Sequence, residues 1–207
     1  MKKGLVEFIG TFFLIFTVGC TVIPPSIGSF APLAIGFSLM VMVFAGGHVS
    51  GAHYNPAVTL AVWLRGKLPL GEALVYWIAQ LAAAAAAAWA VHFIKLPNAA
   101  EQLPIGWKAA FLAESLFTFA LAWVVLNVAT SKGTAGNSFY GLAIGMTVAT
   151  GAFAVGPVSG GCFNPAVAVG ITMMGLSNSA NLWILIVADL AGGAVAALAY
   201  RLINGID

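Results

Sequence analysis

Asn-Pro-Ala occurs twice in this chain, as Asn55-Pro56-Ala57 and Asn164-Pro165-Ala166, and each copy follows a Ser-Gly pair and opens a short apolar run. The runs, 56–64 and 165–174, fall far short of the ~20 residues a helix needs to cross a bilayer. Proline suits the first position of a helix, where its missing N–H is not needed, and the preceding asparagine is a natural cap. Each motif therefore predicts a half-helix that begins inside the protein. Irregular backbone at membrane depth is tolerated only within protein or beside a wet cavity. The motifs lie 109 residues apart (164 − 55), about half the chain, so each half supplies one half-helix tip to a common centre. Two opposed helix N-termini make a positive, donor-rich constriction.

That reading requires a membrane, and composition supplies one. Of 207 residues, 61% are hydrophobic and 7% charged, against about 25% charged in soluble domains. A soluble fold of this size has no means of burying so much apolar surface, so the solvent is lipid. A formal net charge of +2 is too weak to suggest nucleic acid. Cys20 and Cys162 lie in apolar stretches without metal-ligand spacing, which implies neither a disulfide framework nor a metal site. Lys2-Lys3 before an apolar run resembles a secretory leader; the weak cleavage pattern and the interruption at Glu7 favour a retained first helix.

Six longer stretches qualify as spans, at about 5–23, 31–47, 70–94, 106–128, 139–155 and 180–203. Pro24-Pro25 ends the first, Leu96-Pro97-Asn98 the third, and Ser131-Lys132-Gly133 follows the fourth. The expected fold class is an all-α membrane protein with six transmembrane helices and two re-entrant half-helices. With the N-terminus inside, the cytoplasmic segments carry Lys2, Lys3, Arg65, Lys67, Lys132 and Arg201, and the outside carries Lys95 and Lys108. That bias obeys the positive-inside rule. Both termini are then cytoplasmic, in a multi-pass protein of the plasma (inner) membrane.

The halves match one another. Glu7-Phe8-Ile9-Gly10-Thr11-Phe12 parallels Glu114-Ser115-Leu116-Phe117-Thr118-Phe119, and Gln80-Leu81-Ala82 parallels Asp189-Leu190-Ala191. Three spans per half, an odd number, place the halves in opposite orientation. The organisation is a single transmembrane domain, 1–207, with inverted repeats of about 1–98 and 106–207. Interrupted segments at matching positions of such a repeat point to the binding site.

The segment Gly47-His48-Val49-Ser50-Gly51-Ala52-His53-Tyr54-Asn55-Pro56-Ala57-Val58-Thr59 resembles the first signature of the aquaporin and aquaglyceroporin family, and Ser159-Gly160-Gly161-Cys162-Phe163-Asn164-Pro165-Ala166 resembles the second. The likeness covers essentially the whole chain, including the glutamates of spans one and four. It implies a right-handed bundle of six helices and two half-helices, a homotetramer with one pore per subunit, and passive transport of water or small uncharged solutes such as glycerol. The chain departs from the family at three places. Val167 stands where the second motif is usually followed by Arg, Gly170-Ile171 where Gly-Pro is frequent, and Ala188-Asp189 where the sixth span usually has Gly-Pro.

Asn55 and Asn164 are expected to cap their half-helices and aim amide donors into the lumen. A passing water then accepts from both and leaves its continuous hydrogen-bonded file, while the two helix ends repel cations. The resemblance places the outer filter at Ile35, at one residue near Val148–Ala152 (taken as Ala152), at Gly161 and at Val167. None is charged and none is histidine. Two outcomes compete: a wider lumen that admits polyols, urea, metalloid acids, ammonia or peroxide, or an apolar ring that dewets and closes. The small side chains favour the first. Lys108 is the one basic residue placed to stand in for the missing arginine.

Glu7 and Glu114 are ionisable groups inside spans, which are costly and usually paired or functional. The structural reading, that each accepts hydrogen bonds from a re-entrant loop, outweighs a proton site. Gln80 and Asp189 occupy matching places and are expected to support the same loops; Asp189 also raises a substrate or proton role. His48 is the candidate for the cytoplasmic mouth, and His53 is expected to bond within its loop. Cys162 either faces the pore mouth or is packed and inert. The alanine run Ala82–Ala88 permits close helix packing. No catalytic residue, cofactor or metal is expected, since no nucleophile–base pair, phosphate loop or ligand cluster is present. The expected partners are the bilayer, water and small neutral solutes, and further copies of the chain. The rival class is a secondary transporter that couples through Asp189.

Overall fold

The computed structural model describes residues 1–95 and 102–205. The chain forms eight α-helices within those residues: α1 (Lys2–Val22), α2 (Ala31–Ser50), α3 (Pro56–Leu64), α4 (Leu70–Lys95), α5 (Trp107–Ala129), α6 (Tyr140–Ser159), α7 (Pro165–Met173) and α8 (Leu182–Asn204). Six are long and apolar enough to cross a membrane, and the two nine-residue helices α3 and α7 are not. The protein is therefore an integral, multi-pass, all-helical membrane protein. The Leu96-Pro97-Asn98 stop and the end of the first half at 98 lie outside the described residues.

Small residues set the spacing of the bundle. α2 crosses α6 at Gly36 and Gly145, where a Cβ added to Gly36 would stand 2.7 Å from the Gly145 carbonyl oxygen and 2.7 Å from the Ala149 methyl. Lipid gives helices no hydrophobic reason to associate, so close backbone approach supplies the van der Waals gain. The alanine run does the same work in α4: Ala83, Ala84, Ala87 and Ala88 are fully buried, and α4 packs on α1 and α7. The outward surface is apolar, with Trp89, Phe93, Trp107 and Leu116 exposed to the surroundings.

The half-helices are exchanged between halves. α3 packs chiefly on α8, and α7 chiefly on α4. Both chain ends lie on one face: Lys3 Nζ donates to Glu72 at 2.8 Å, and Arg201 donates to the Leu64 carbonyl at 3.3 Å. We call this the terminal face. α6 differs from its expected end near 155, because it continues through Pro157 to Ser159 and closes with Gly160 in the left-handed region. A proline in the last turn removes one backbone bond without ending the helix, and Phe153 and Pro157 both line the open vestibule on the face away from the termini.

Candidate functional site

The two re-entrant loops have the same local geometry. α2 and α6 both end in serine followed by a left-handed glycine, Ser50-Gly51 and Ser159-Gly160. Tyr54 and Phe163, the residues just before the asparagines, take φ of 50° and 48°. Such conformations cost on the order of 1–3 kcal/mol each and persist only where the surroundings over-determine them. Here a carboxylate at the back of each loop does so. Glu7 accepts from the Ser50 hydroxyl at 2.7 Å, the His53 N–H at 2.9 Å and the Tyr54 N–H at 2.7 Å. Glu114 accepts from the Ser159 hydroxyl at 2.5 Å, the Cys162 N–H at 3.1 Å and the Phe163 N–H at 2.6 Å. The Gln80 amide donates to Glu7 at 2.9 Å and to the Thr59 hydroxyl oxygen at 3.0 Å. Asp189 takes the matching position behind the second loop, where the Thr118 hydroxyl donates to its Oδ1 at 2.9 Å.

Each asparagine caps its own half-helix. Asn55 Oδ1 accepts from the N–H groups of Ala57 (2.8 Å) and Val58 (3.3 Å), and Asn164 Oδ1 accepts from that of Ala166 (2.9 Å). The amide nitrogens then cross over. Asn55 Nδ2 donates to the Phe163 carbonyl at 2.8 Å, and Asn164 Nδ2 donates to the Tyr54 carbonyl at 2.9 Å. This reciprocal bond holds the tips together and was not readable from the spacing of the motifs. It uses one proton of each NH2 and leaves the second for the space in front.

That space is a cavity of about 70 Å³ lined by Asn55 and Asn164, by the filter candidates Ile35, Ala152, Gly161 and Val167, and by His53 and Cys162. It is large enough to hold water. Most of the remaining wall is aliphatic, including Leu14, Leu39, Val125 and Val148. On the face away from the termini a vestibule of about 710 Å³ shares Val18, Ile35, Ala152 and Gly160 with the cavity. A second vestibule, about 410 Å³ on the terminal face, shares His53 and Val125. Gly161 holds the wall back: its φ of 65° is left-handed, and a Cβ there would meet the Ala152 and Gly156 backbones at 3.4 Å.

His53 is the lumen histidine that sequence reasoning placed only within its loop. The Thr59 hydroxyl gives its proton to the Asn55 carbonyl at 3.0 Å, so at the 3.1 Å contact with His53 it accepts. His53 Nδ1 therefore carries a proton, and Nε2 is the free acceptor. Burial pushes the imidazole pKa below its ordinary value, partly opposed by Glu7, which keeps the ring neutral. His48 lines a surface pocket with Tyr140 and the turn after α5, and this pocket shares Gly51, Ala129 and Thr130 with the terminal-face vestibule. Cys162 is buried in the cavity wall, and burial pushes its thiol up.

The remaining cations do not reach the filter. Lys108 Nζ stands 5.5 Å from the centre of the Trp107 ring and is absent from the cavity wall. Arg65 is 2% exposed; it donates to the Thr130 carbonyl at 3.1 Å and the Tyr200 hydroxyl at 2.9 Å. It ties α3 to α5 and α8 rather than sitting as a free loop charge.

The family model described as "Major intrinsic protein" matches residues 1–200. The chain is 39% identical to aquaporin NIP1-4 of Oryza sativa subsp. japonica, over 99% of this chain and 77% of that protein. It is 36% identical to glycerol uptake facilitator protein-like 6 of Lactiplantibacillus plantarum, over 100% of both chains. The X-ray structure of the aquaglyceroporin from Plasmodium falciparum superposes with a TM-score of 0.82 at 23% identity, over 98% of this chain and 96% of that one, which is agreement of fold.

Proposed function

The chain belongs to the major intrinsic protein family, whose members are passive channels rather than enzymes, and from that premise we propose that its filter admits neutral solutes larger than water. The channel conducts water and small uncharged solutes such as glycerol. The single observation that carries the wider reading is the set of four residues, Ile35, Ala152, Gly161 and Val167, that line one cavity. It offers no side-chain donor and no fixed charge, and an arginine at position 167 would supply both together with bulk. Polyols, urea, metalloid acids, ammonia and peroxide are the candidate solutes.

In this proposal Asn55, Pro56, Ala57, Asn164, Pro165 and Ala166 form the central constriction. Glu7, Gln80, Glu114 and Asp189 hold its loops. The two halves act as inverted repeats of one domain. Cation exclusion then rests on the paired half-helix N-termini, each worth roughly half a positive charge. The terminal face is cytoplasmic, supported by Lys2, Lys3, Arg65, Lys67, Lys132 and Arg201 against Lys95 and Lys108, and the membrane is the plasma (inner) membrane. A homotetramer belongs to the same proposal and rests on family membership alone.

The test is Val167→Arg in proteoliposomes. Glycerol and urea flux should fall severalfold while water flux falls less. Unchanged relative permeabilities would remove Val167 from the filter.

A further inference from the structure

Behind the first loop, Glu7 receives a hydrogen bond from an amide, Gln80 Nε2 at 2.9 Å. Behind the second loop, the matching place holds Asp189, and its carboxyl stands within hydrogen-bonding reach of the Glu114 carboxyl. Both side chains are fully buried. Glu114 has three donors of its own, from Ser159, Cys162 and Phe163. Asp189 has the Thr118 hydroxyl on Oδ1 at 2.9 Å and the Asn164 backbone amide facing it, and Oδ2 has no donor within bonding distance. Two ionised carboxylates in contact repel one another, and burial adds to that cost.

Among the described residues no cation relieves them. α3 and α7, which pack on α8, carry no Asp, Glu, Lys, Arg or His. On α5, Lys108 lies at the far end over Trp107. On α8, Arg201 lies at the terminal face against Leu64. α6, packed on α5, contributes only Tyr140 at its start. The other titratable group facing the pair is the Cys162 thiol.

We propose that Asp189 is protonated at neutral pH and donates through Oδ2 to the Glu114 carboxylate, so that the two side chains form a one-proton binding site behind the second re-entrant loop. A carboxylic acid has the donor and acceptor layout of an amide. Protonated Asp189 thus does for Glu114 what the Gln80 amide does for Glu7, and each loop is backed by one negative charge. The lone Oδ2 gains its partner. Loss of the proton would place a second negative charge beside Glu114, which holds the Cys162 and Phe163 amides, and beside the Asn164 backbone amide, which also faces Asp189. The loop that presents Asn164 then loosens. Asp189 is outside the cavity wall, so this proton is held in the scaffold, not passed along the conduit.

Infrared spectroscopy of the protein in ester-free detergent tests this at neutral pH. The chain has two aspartates, Asp189 and Asp207, so the labelled sample carries Asp207→Asn and Asp189 is its one aspartate. One carboxylic-acid C=O band is expected; it should shift when aspartate is 13C-labelled at its side-chain carboxyl and vanish in Asp189→Asn. The labelling leaves Asp189 in place, so it decides the question even if Asp189→Asn fails to fold. Absence of the band, a shift with labelled glutamate instead, or persistence in Asp189→Asn would overturn the site. In liposomes, raising the pH until the band is lost should lower water permeability severalfold in the native channel and leave Asp189→Asn unaffected. Identical pH profiles would overturn the coupling to the loop.

Discussion

One asparagine side chain at each half-helix tip has three tasks: its oxygen caps the helix, one amide proton braces the opposite loop, and the other is left for the lumen. Asn55→Asp separates them. The carboxylate still caps α3, while the donor to the Phe163 carbonyl is lost and a negative charge enters the constriction. We expect a destabilisation of at least about 1–3 kcal/mol from the buried Phe163 carbonyl left unpaired against a carboxylate, read by thermal unfolding in detergent, and a cation current in planar bilayers where the native channel has none. No current would show that the helix ends exclude cations without the asparagine.

His53 sets a second prediction at this scale. Its folded pKa lies below the ordinary 6.5 because of burial, so the unfolded chain takes up the proton first as pH falls. Stability from the neutral ring is complete above 6.5 and declines below it. A melting series from about pH 8 to about pH 5 should show this decline, and His53→Gln should flatten it. A native-like slope in the variant would assign the acid sensitivity to another group.

Among the elements, the half-helices were the most legible in the sequence. Asn at the cap and Pro at the first turn fix where α3 and α7 begin, by local rules that tertiary packing has no need to override. The end of α6 was less legible, because the apolar stretch reads to about 155 and the helix runs on through Pro157 to Ser159, where Gly160 closes it. Arg65 counted correctly as a charge of the terminal face, but its place under Tyr200, 4.4 Å from the ring centre, depends on α8. The reach of His53 into the cavity has the same cause: it follows the left-handed turn at Gly51 and lines the wall, which the spacing of the two histidines does not reveal. The span-five filter position was ambiguous because the segment Ala152–Gly161 does not align with the family without a shift; Val148 and Ala152, one helical turn apart, both line the wall.

Packing of elements has its own test. Gly36→Leu would force side-chain atoms into the Gly145 backbone, at a cost of about 1–3 kcal/mol or more for overpacking. Gly71 has open space around its Cβ position, so Gly71→Leu is the matched control. The first should melt lower in detergent and the second should not. Equal stability would mean that α2 and α6 separate without penalty.

For the whole molecule, the central claim is an uninterrupted neutral-solute path: vestibule, paired tips and vestibule share wall residues from one face to the other. Such a path conducts in proportion to the gradient and has no coupling step. Stopped-flow light scattering on proteoliposomes, with water, glycerol and urea, measures this directly. Permeation well above that of empty liposomes, linear in the gradient for all three, is the predicted result. Flux no greater than the bare bilayer, or solute uptake that saturates and needs an ion gradient, would contradict it.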